Sequence, residues 1–243
     1  MESVSVIIPS RNEPFLDRTI QDIKEKFKGD YEIIVVLDGG WAQPLEGVKY
    51  IYNKEAKGMR TAINQGVAKA CGKYIMKLDA HCMVDERIDE KLKAVHQENW
   101  VQTPRRKRFD HIKWELTDTD SPDIDYMFVG PGYKGHKDNE KNRDPELKKK
   151  LIDDTQVFQG SCYFMTKDFF NKLGLLDDKN FGKMGSEAIE IAFKCRHSGG
   201  RVIVNKNTWY AHARIGSHYS GGTAEREKSR EYVKILVKLN HYV

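Results

Sequence analysis

The 243-residue sequence lacks the features that mark small secreted, metal-knuckle or membrane-spanning proteins. Its four cysteines lie far apart and form no Cys-x-x-Cys pair, which argues against a zinc knuckle or a disulfide framework. No apolar run approaches the roughly 20 residues that span a bilayer, and Met1 leads directly into a strand-like segment. We therefore expect a cytoplasmic protein with reduced thiols.

The sequence also has no internal repeat and no low-complexity tract, and its glycines and prolines are dispersed. Hydrophobic residues make up 39% of the chain and charged residues 32%, which is typical of a globular domain. The formal net charge of +5 is modest, but basic residues cluster at 105–108 and 148–150. Such clusters favour an anionic ligand or polymer, and a solvated basic surface is the alternative.

Apolar runs alternate with segments of helical periodicity along the first hundred residues. Residues 4–9 and 31–37 are β-rich runs, and apolar residues recur at helical spacing between them. The same alternation predicts strands at 48–52 and 74–78 and helices at 59–70 and 86–99. It indicates an α/β fold with a doubly wound, mainly parallel sheet and right-handed crossovers.

Residues 104–154 lose this regularity, because prolines, glycines and charges dominate. We interpret them as an irregular basic loop on the substrate side of the domain. Order returns after residue 158, with helices predicted at 167–173 and 187–198 and a strand at 201–204. The expected organisation is one domain over 1–222 and a C-terminal helix within 223–243 that packs on it.

Polar residues follow the predicted strands directly, at the sheet edge where parallel α/β folds bind ligands. In Asp79-Ala80-His81 two side chains able to bind a metal are separated by one residue, so in an extended segment they point the same way. Carboxylate and imidazole together suit Mn²⁺ or a similar divalent ion. His212 is the favoured third ligand and His218 the competitor; ordinary turns or helix caps remain the alternative interpretation.

Four segments resemble the successive motifs of the family 2 glycosyltransferases with the GT-A fold. They are Pro9-Ser-Arg-Asn-Glu13, Asp38, Gly58-Met-Arg60-Thr-Ala-Ile-Asn64-Gln-Gly66 and Leu78-Asp-Ala-His81. The Asp-x-His form, the stretch Gly185-Ser-Glu187-Ala-Ile-Glu190-Ile and the late His212 are also similar to the polypeptide N-acetylgalactosaminyltransferases. The resemblance implies a GT-A, Rossmann-like fold and a nucleotide-sugar donor, usually with uracil as the base.

The resemblance also implies roles for individual residues. It assigns Asp79, His81 and His212 to a cation, Mn²⁺ or Mg²⁺. It assigns the other donor-side positions to the nucleotide: Pro9, Arg11 and Glu13 beside the base and ribose, Asp38 on the base, and Gly58, Arg60 and Asn64 around the phosphates.

Glu187 and Glu190 are the candidate catalytic residues. The usual Glu-Asp pair of the family is replaced here by Glu187-Ala188, with the next carboxylate at Glu190. An inverting transfer, which we favour, requires a carboxylate to accept the proton of the acceptor hydroxyl, and Glu187 would do so. In a retaining enzyme either glutamate would contact the sugar instead.

The acceptor and the reaction class leave alternatives open. The acceptor would be a glycan, a protein or a hydroxyl-bearing modified DNA, the last bound through the basic segments. A sugar-phosphate nucleotidyltransferase shares a similar sheet, but such enzymes usually carry a glycine-rich loop after the first strand, and residues 9–13 contain no glycine. An inactive nucleotide-sugar-binding module is the third possibility.

Overall fold

A computed structural model describes residues 2–117, 120–183, 185–213, 215 and 222–239. The strands within these residues are β1 Val4–Ser10, β2 Tyr31–Asp38, β3 Val48–Asn53, β4 Tyr74–Leu78, β5 Cys82–Val84, β6 Trp100–Lys107, β7 Phe109–Asp110, β8 Glu115–Leu116, β9 Met127–Gly130, β10 Lys134–Lys137, β11 Ile152–Asp154, β12 Cys162–Thr166 and β13 Arg201–His212. Nine of them form one sheet with the order β11-β13-β6-β12-β4-β1-β2-β3, in which β5 pairs with β13. Two further two-stranded sheets are formed by β9 with β10 and by β7 with β8.

The main sheet is mixed in direction. The pairs β4–β1, β1–β2, β2–β3 and β6–β13 are parallel, whereas β12 runs antiparallel to both β4 and β6. This mostly parallel sheet with helices on its faces is the expected α/β fold.

Helices cover both faces of the sheet. Because successive side chains of a strand point to opposite faces, most of the hydrophobic core consists of two clusters, one on each face of the sheet. Val6 and its partner Ile33 face one apolar cluster, while Ile7 and its partner Ile34 face the other. The helices are α1 Leu16–Lys26, α2 Met59–Lys69, α3 Ile88–Lys93, α4 Asn139–Arg143, α5 Pro145–Lys149, α6 Lys167–Lys172, α7 Glu187–His197 and α8 Gly222–Leu239. The first cluster is closed by α1 and α3, and the second by α2, α6, α7 and α8.

Three parts of the fold differ from the sequence-based expectation. The helix predicted at 86–99 is shorter, because the chain enters β6 at Trp100. The strand predicted at 201–204 continues to His212. The segment 104–154 is not an irregular loop, since it holds the end of β6, the strands β7 to β11 and the helices α4 and α5.

Helix α8 packs on the second apolar cluster through Val233, which is fully buried. Among the described residues, no helix combines the length and the apolar character needed to cross a bilayer.

Candidate metal centre and adjoining cavity

Backbone pairing brings Asp79, His81 and His212 together from two distant parts of the chain. Asp79 follows β4, and its N–H donates to the carbonyl oxygen of Ser161 at 2.9 Å. Strand β5 pairs antiparallel with the end of β13, so that His212 lies opposite Cys82. The N–H of Ala213 donates to the carbonyl oxygen of His81 at 3.1 Å, which closes this pairing beside the two histidines.

The three side chains form a compact set of metal-binding atoms. One ligand atom from each residue lies within 4.8 Å of the others. Nε2 of His212 is 3.1 Å from Oδ2 of Asp79 and 3.0 Å from Nε2 of His81. One carboxylate oxygen and two imidazole nitrogens suit a divalent transition metal such as Mn²⁺ better than Ca²⁺, which prefers oxygen alone.

A second layer of polar groups holds these ligands. The carboxylate of Glu13, whose side chain is 4% exposed, accepts a hydrogen bond from Nδ1 of His81 at 3.0 Å. Lys77 pairs with Oδ1 of Asp79 and also donates to the carbonyl oxygen of Gly160 at 2.7 Å. A carboxylate on the far nitrogen of a ligating histidine fixes the ring and leaves Nε2 available for a metal, so Glu13 prepares His81 as a ligand.

Burial and charge act in opposite directions on the ionisable groups of the centre. Burial raises the pKa of Asp79, whereas Lys77 and the two histidines lower it. The lowering is the larger effect, so the net pKa falls below its usual range. Burial lowers the pKa of His212 to about 4 against the opposing effect of Asp79. At neutral pH Asp79 is therefore ionised and His212 is neutral, as metal ligands must be.

A cavity of about 370 Å³ adjoins the metal-binding atoms and is lined by Asp79, His212 and Glu187. Glu187 begins α7 and follows Ser186, whose φ of 61° turns the chain sharply into the helix. Its carboxylate packs against Gly160, where an added Cβ would clash with it. Because residue 160 has no side chain, the carboxylate of Glu187 has room to line the cavity beside the metal-binding residues.

Glu190, the other candidate catalytic residue, is not at this cavity. It is fully buried, where it accepts hydrogen bonds from Arg60 Nε at 3.2 Å, from the Asp177 N–H at 2.7 Å and from Lys194 Nζ at 2.7 Å. Arg60 is likewise buried, and its guanidinium lies over the ring of Phe181. In this structure the two residues form an ion pair between α2 and α7, and neither lines the cavity beside the metal-binding atoms. Their assigned roles toward the nucleotide and in catalysis stay predictions.

Two other residues assigned to the nucleotide make hydrogen bonds that fix loops in this structure. Asp38 is fully buried, and its carboxylate accepts from the N–H groups of Lys57 and Gly58 at 2.9 and 2.7 Å. Asn64 bonds both backbone groups of Leu176, at 2.8 and 3.0 Å, and lies away from the metal centre. Neither residue lines the cavity beside the metal-binding atoms, and their contacts with a nucleotide stay predictions.

The remaining donor-side positions surround the centre less directly. Pro9 is buried in β1 opposite Val36, and Arg11 is half-buried in the turn that carries Glu13. Gly58 precedes α2 with a φ of 105°, and the backbone of Lys183 covers it closely. Their contacts with a nucleotide stay predictions, and His218 lies outside the described residues.

Sequence reasoning missed two side chains that contact the metal-binding residues, and each of them had a signal. Lys77 is a charged residue in the apolar run of β4, and it is fully buried beside Asp79. Arg106 lies in the basic cluster, where it donates to Nδ1 of His212 at 3.0 Å and also to Gln159. A lone cation within a buried strand is the pattern that would have found the first of them.

The chain resembles known glycosyltransferases in sequence. A family model for glycosyl transferase family 2 matches residues 5–174. N-acetylgalactosaminyltransferase 7 of Drosophila melanogaster is 26% identical over 238 residues, which cover 89% of this chain and 39% of that protein. Polypeptide N-acetylgalactosaminyltransferase 3 of Taeniopygia guttata is 27% identical over 238 residues, with 84% and 36% covered.

Among solved structures, the crystal structure of GalNAc-T7 with UDP, GalNAc and Mn²⁺ matches with a TM-score of 0.80 at 19% identity. The match covers 97% of this chain and 47% of that one, so the chain spans less than half the length of each of these three proteins. The fold is that of the GT-A glycosyltransferases. Since the family model covers most of its length, the chain belongs to glycosyl transferase family 2.

Proposed function

We propose that this chain transfers a sugar from a UDP-sugar to a hydroxyl acceptor, with Mn²⁺ held by Asp79, His81 and His212. The observation that carries the proposal is the convergence of these three ligands at the rim of the cavity that Glu187 also lines. The relatives are N-acetylgalactosaminyltransferases by name, and the matching structure contains UDP, GalNAc and Mn²⁺. UDP-GalNAc is therefore the first donor to test.

The residues of the centre have two roles: some would bind the cation, and others fix the side chains that bind it. When bound, the cation neutralises the charge that develops on the diphosphate leaving group. Asp79 and the two histidines hold it, while Glu13 fixes the ring of His81 and Lys77 fixes Asp79.

We further propose inversion at the anomeric carbon, with Glu187 as the base. The acceptor oxygen forms a bond to the anomeric carbon, the bond from that carbon to the UDP oxygen breaks, and the hydroxyl proton passes to Glu187. The position of Glu187 in the cavity wall supports this role. The stereochemistry of the product, read by proton NMR of the new glycosidic linkage, tests it, and retained configuration would remove Glu187 as the base.

The acceptor is proposed to approach from a basic surface on the other side of His212. A cavity of about 210 Å³ is lined by His212, Lys107 and Arg108, and the last two also line an adjacent cavity of about 550 Å³ together with Lys148. The acidic residue Asp123 also lines the larger cavity. This surface supports an anionic acceptor such as hydroxyl-bearing modified DNA, and an uncharged glycan is the alternative.

The donor half of the proposal is tested by calorimetric titration of UDP with Mn²⁺ and then with a chelator, with GDP, ADP and dTDP as controls. Binding of UDP that requires Mn²⁺ and is lost in Asp79→Ala is the expected result. Absence of nucleotide binding under every metal condition would overturn it. Release of pyrophosphate from UTP and a sugar 1-phosphate would instead support a nucleotidyltransferase.

The acceptor half is tested separately with duplex DNA containing hydroxymethylated bases and with neutral oligosaccharides. Transfer to DNA should weaken steeply between about 50 and 200 mM salt, because binding releases counterions. Transfer to a neutral glycan that is insensitive to salt would assign the glycan as the acceptor.

A further inference from the structure

The two histidines of the metal centre are held by partners of opposite chemistry. His81 donates from Nδ1 to the carboxylate of Glu13, so its Nε2 carries a lone pair toward the centre. His212 meets the guanidinium of Arg106 at Nδ1, at 3.0 Å. Arginine has only donors, so here Nδ1 of His212 must accept.

This contact fixes which nitrogen of His212 carries a proton. A neutral imidazole has one N–H, and with Nδ1 accepting, that proton lies on Nε2. Nε2 faces two acceptors, Oδ2 of Asp79 at 3.1 Å and Nε2 of His81 at 3.0 Å. The proton therefore lies among the three atoms that would bind a metal.

We propose that Arg106 competes with the metal for His212, so that the cation binds tightly only when Arg106 leaves Nδ1. A metal on Nε2 requires the ring proton to move to Nδ1, where it would face the N–H of Arg106. One ring cannot satisfy both partners. This inference deepens the proposed function and rests on it for the identity of the metal and of the nucleotide.

Arg106 is placed to leave at low cost. Its Nε is buried and, within the described residues, has no hydrogen-bond partner, so the guanidinium is incompletely satisfied where it lies. Its second contact, Gln159, lines the cavity that Asp79 and Glu187 also line. A diphosphate in that cavity offers the paired oxygen acceptors that a guanidinium prefers.

The consequence is that metal and nucleotide bind together. The diphosphate draws Arg106 from His212, the ring proton moves to Nδ1, and Nε2 becomes a ligand. Arg106 is thus a positioning residue that couples the two binding events.

The first test measures Mn²⁺ affinity by the EPR signal of the free ion, without and with UDP, in the wild type, Arg106→Met and Lys107→Met. Lys107 is the matched control, because it neighbours Arg106 on β6 but lies over the ring of Trp209. Without UDP, Arg106→Met should bind Mn²⁺ about fivefold or more tightly than the wild type, and the gain from UDP should shrink. Equal affinities, or equal tightening in the Lys107 variant, would overturn the competition.

The second test needs only the wild-type protein and so does not depend on how the variant folds. Nitrogen NMR of ¹⁵N-labelled histidine rings distinguishes protonated from unprotonated nitrogens. In the metal-free protein Nε2 of His212 should be protonated, and saturation with Zn²⁺, a diamagnetic probe, should move the proton to Nδ1. A proton on Nδ1 before metal addition would overturn the proposal.

The two tests separate this inference from the proposed function. Neither uses turnover, so a protein that shows the tautomer change but binds no UDP would retain the competition and lose the nucleotide assignment. Conversely, Mn²⁺-dependent UDP binding with unchanged Mn²⁺ affinity in Arg106→Met would retain the function and reject the role of Arg106.

Discussion

The ammonium group of Lys77 lies between the carboxylate of Asp79 and the carbonyl oxygen of Gly160, with its side chain 1% exposed. Burial lowers the pKa of this lysine, whereas Asp79 and Glu187 raise it. The raising is the larger effect, so the net pKa lies above its usual value. Lys77 is therefore a permanent cation under the metal centre, and it fixes one oxygen of Asp79 while the other faces His212.

Lys77→Met should lower the free energy of unfolding by about 3 kcal/mol, because it leaves the carboxylate of Asp79, which is only 22% exposed, without its strongest partner. Urea denaturation measures the change. Lys73→Met is the matched control, since Lys73 forms an exposed pair with Glu2 and its loss should change the free energy of unfolding much less. Similar losses in the two variants would contradict the buried role of Lys77.

Glu13→Gln should weaken Mn²⁺ binding about tenfold or more, because an amide no longer provides a charged acceptor for Nδ1 of His81. Calorimetry in the presence of UDP measures the affinity. Asp17→Asn removes an exposed carboxylate of α1 nearby and should leave the affinity unchanged. An unchanged affinity in Glu13→Gln would show that His81 does not depend on this contact.

Glu187→Gln should lower kcat by about 10²- to 10⁴-fold while the KM for the donor stays near the wild-type value, because the lost group acts on the acceptor proton. Steady-state kinetics with UDP-GalNAc measure both constants. A fall in donor affinity at constant kcat would instead assign Glu187 to sugar binding.

Glu190→Gln, three residues further along α7, should act on stability rather than on catalysis. It leaves Arg60 as a buried charge without a counterion, which should cost about 3 to 5 kcal/mol in the free energy of unfolding. Urea denaturation and the kcat of the remaining folded protein are measured together. A stable variant with a lost kcat would return Glu190 to the catalytic site.

Stability should also depend on pH through His96. Burial is the main cause that lowers its pKa to about 4, and its ring lies edge-on to Tyr74 and Phe164. His96 binds a proton near pH 6.5 in the unfolded chain but only near pH 4 in the folded chain. The contribution of neutral His96 to the free energy of unfolding is therefore fully present above pH 6.5 and is lost as the pH falls from 6.5 to 4.

The loss through His96 should amount to about 1 to 3 kcal/mol, after allowance for the solvent that reaches part of the ring. His96→Gln retains an acceptor for Gln102 but does not titrate, so its unfolding free energy should fall less between pH 6.5 and 4. Urea denaturation across this range compares the two proteins, and parallel curves would exclude His96 as the cause.

The sequence predicted the parallel strands well, because β1, β2 and β4 are buried on both faces and appear as continuous apolar runs. It did not predict β6, whose outer half consists of basic residues. In the structure two of these cations are matched, Arg105 by Asp125 and Arg106 by Gln159, and both partners come from segments far along the chain. The pattern of apolar and polar residues within one segment does not predict which side chains from other segments will pair with it.

The same limit separates the predicted residues that lie in the metal-binding cluster from those that lie elsewhere. Asp79 and His81 were located because a residue that directly follows a buried strand must lie at the sheet edge. Arg60 and Asn64 are four apart on α2 and therefore share a helix face. Periodicity does not say what covers that face, and here it is α7 with the turn at Leu176.

The contact between His81 and His212, beside the pairing of β5 with the end of β13, joins residues 131 positions apart in the chain. During synthesis, Asp79 and His81 leave the ribosome long before His212, and domains generally begin folding from the N-terminal side. A partly made chain therefore offers a metal only two of the three ligands. Under the proposed function, binding of the ion by all three ligands therefore requires that β13 is already in place in the sheet.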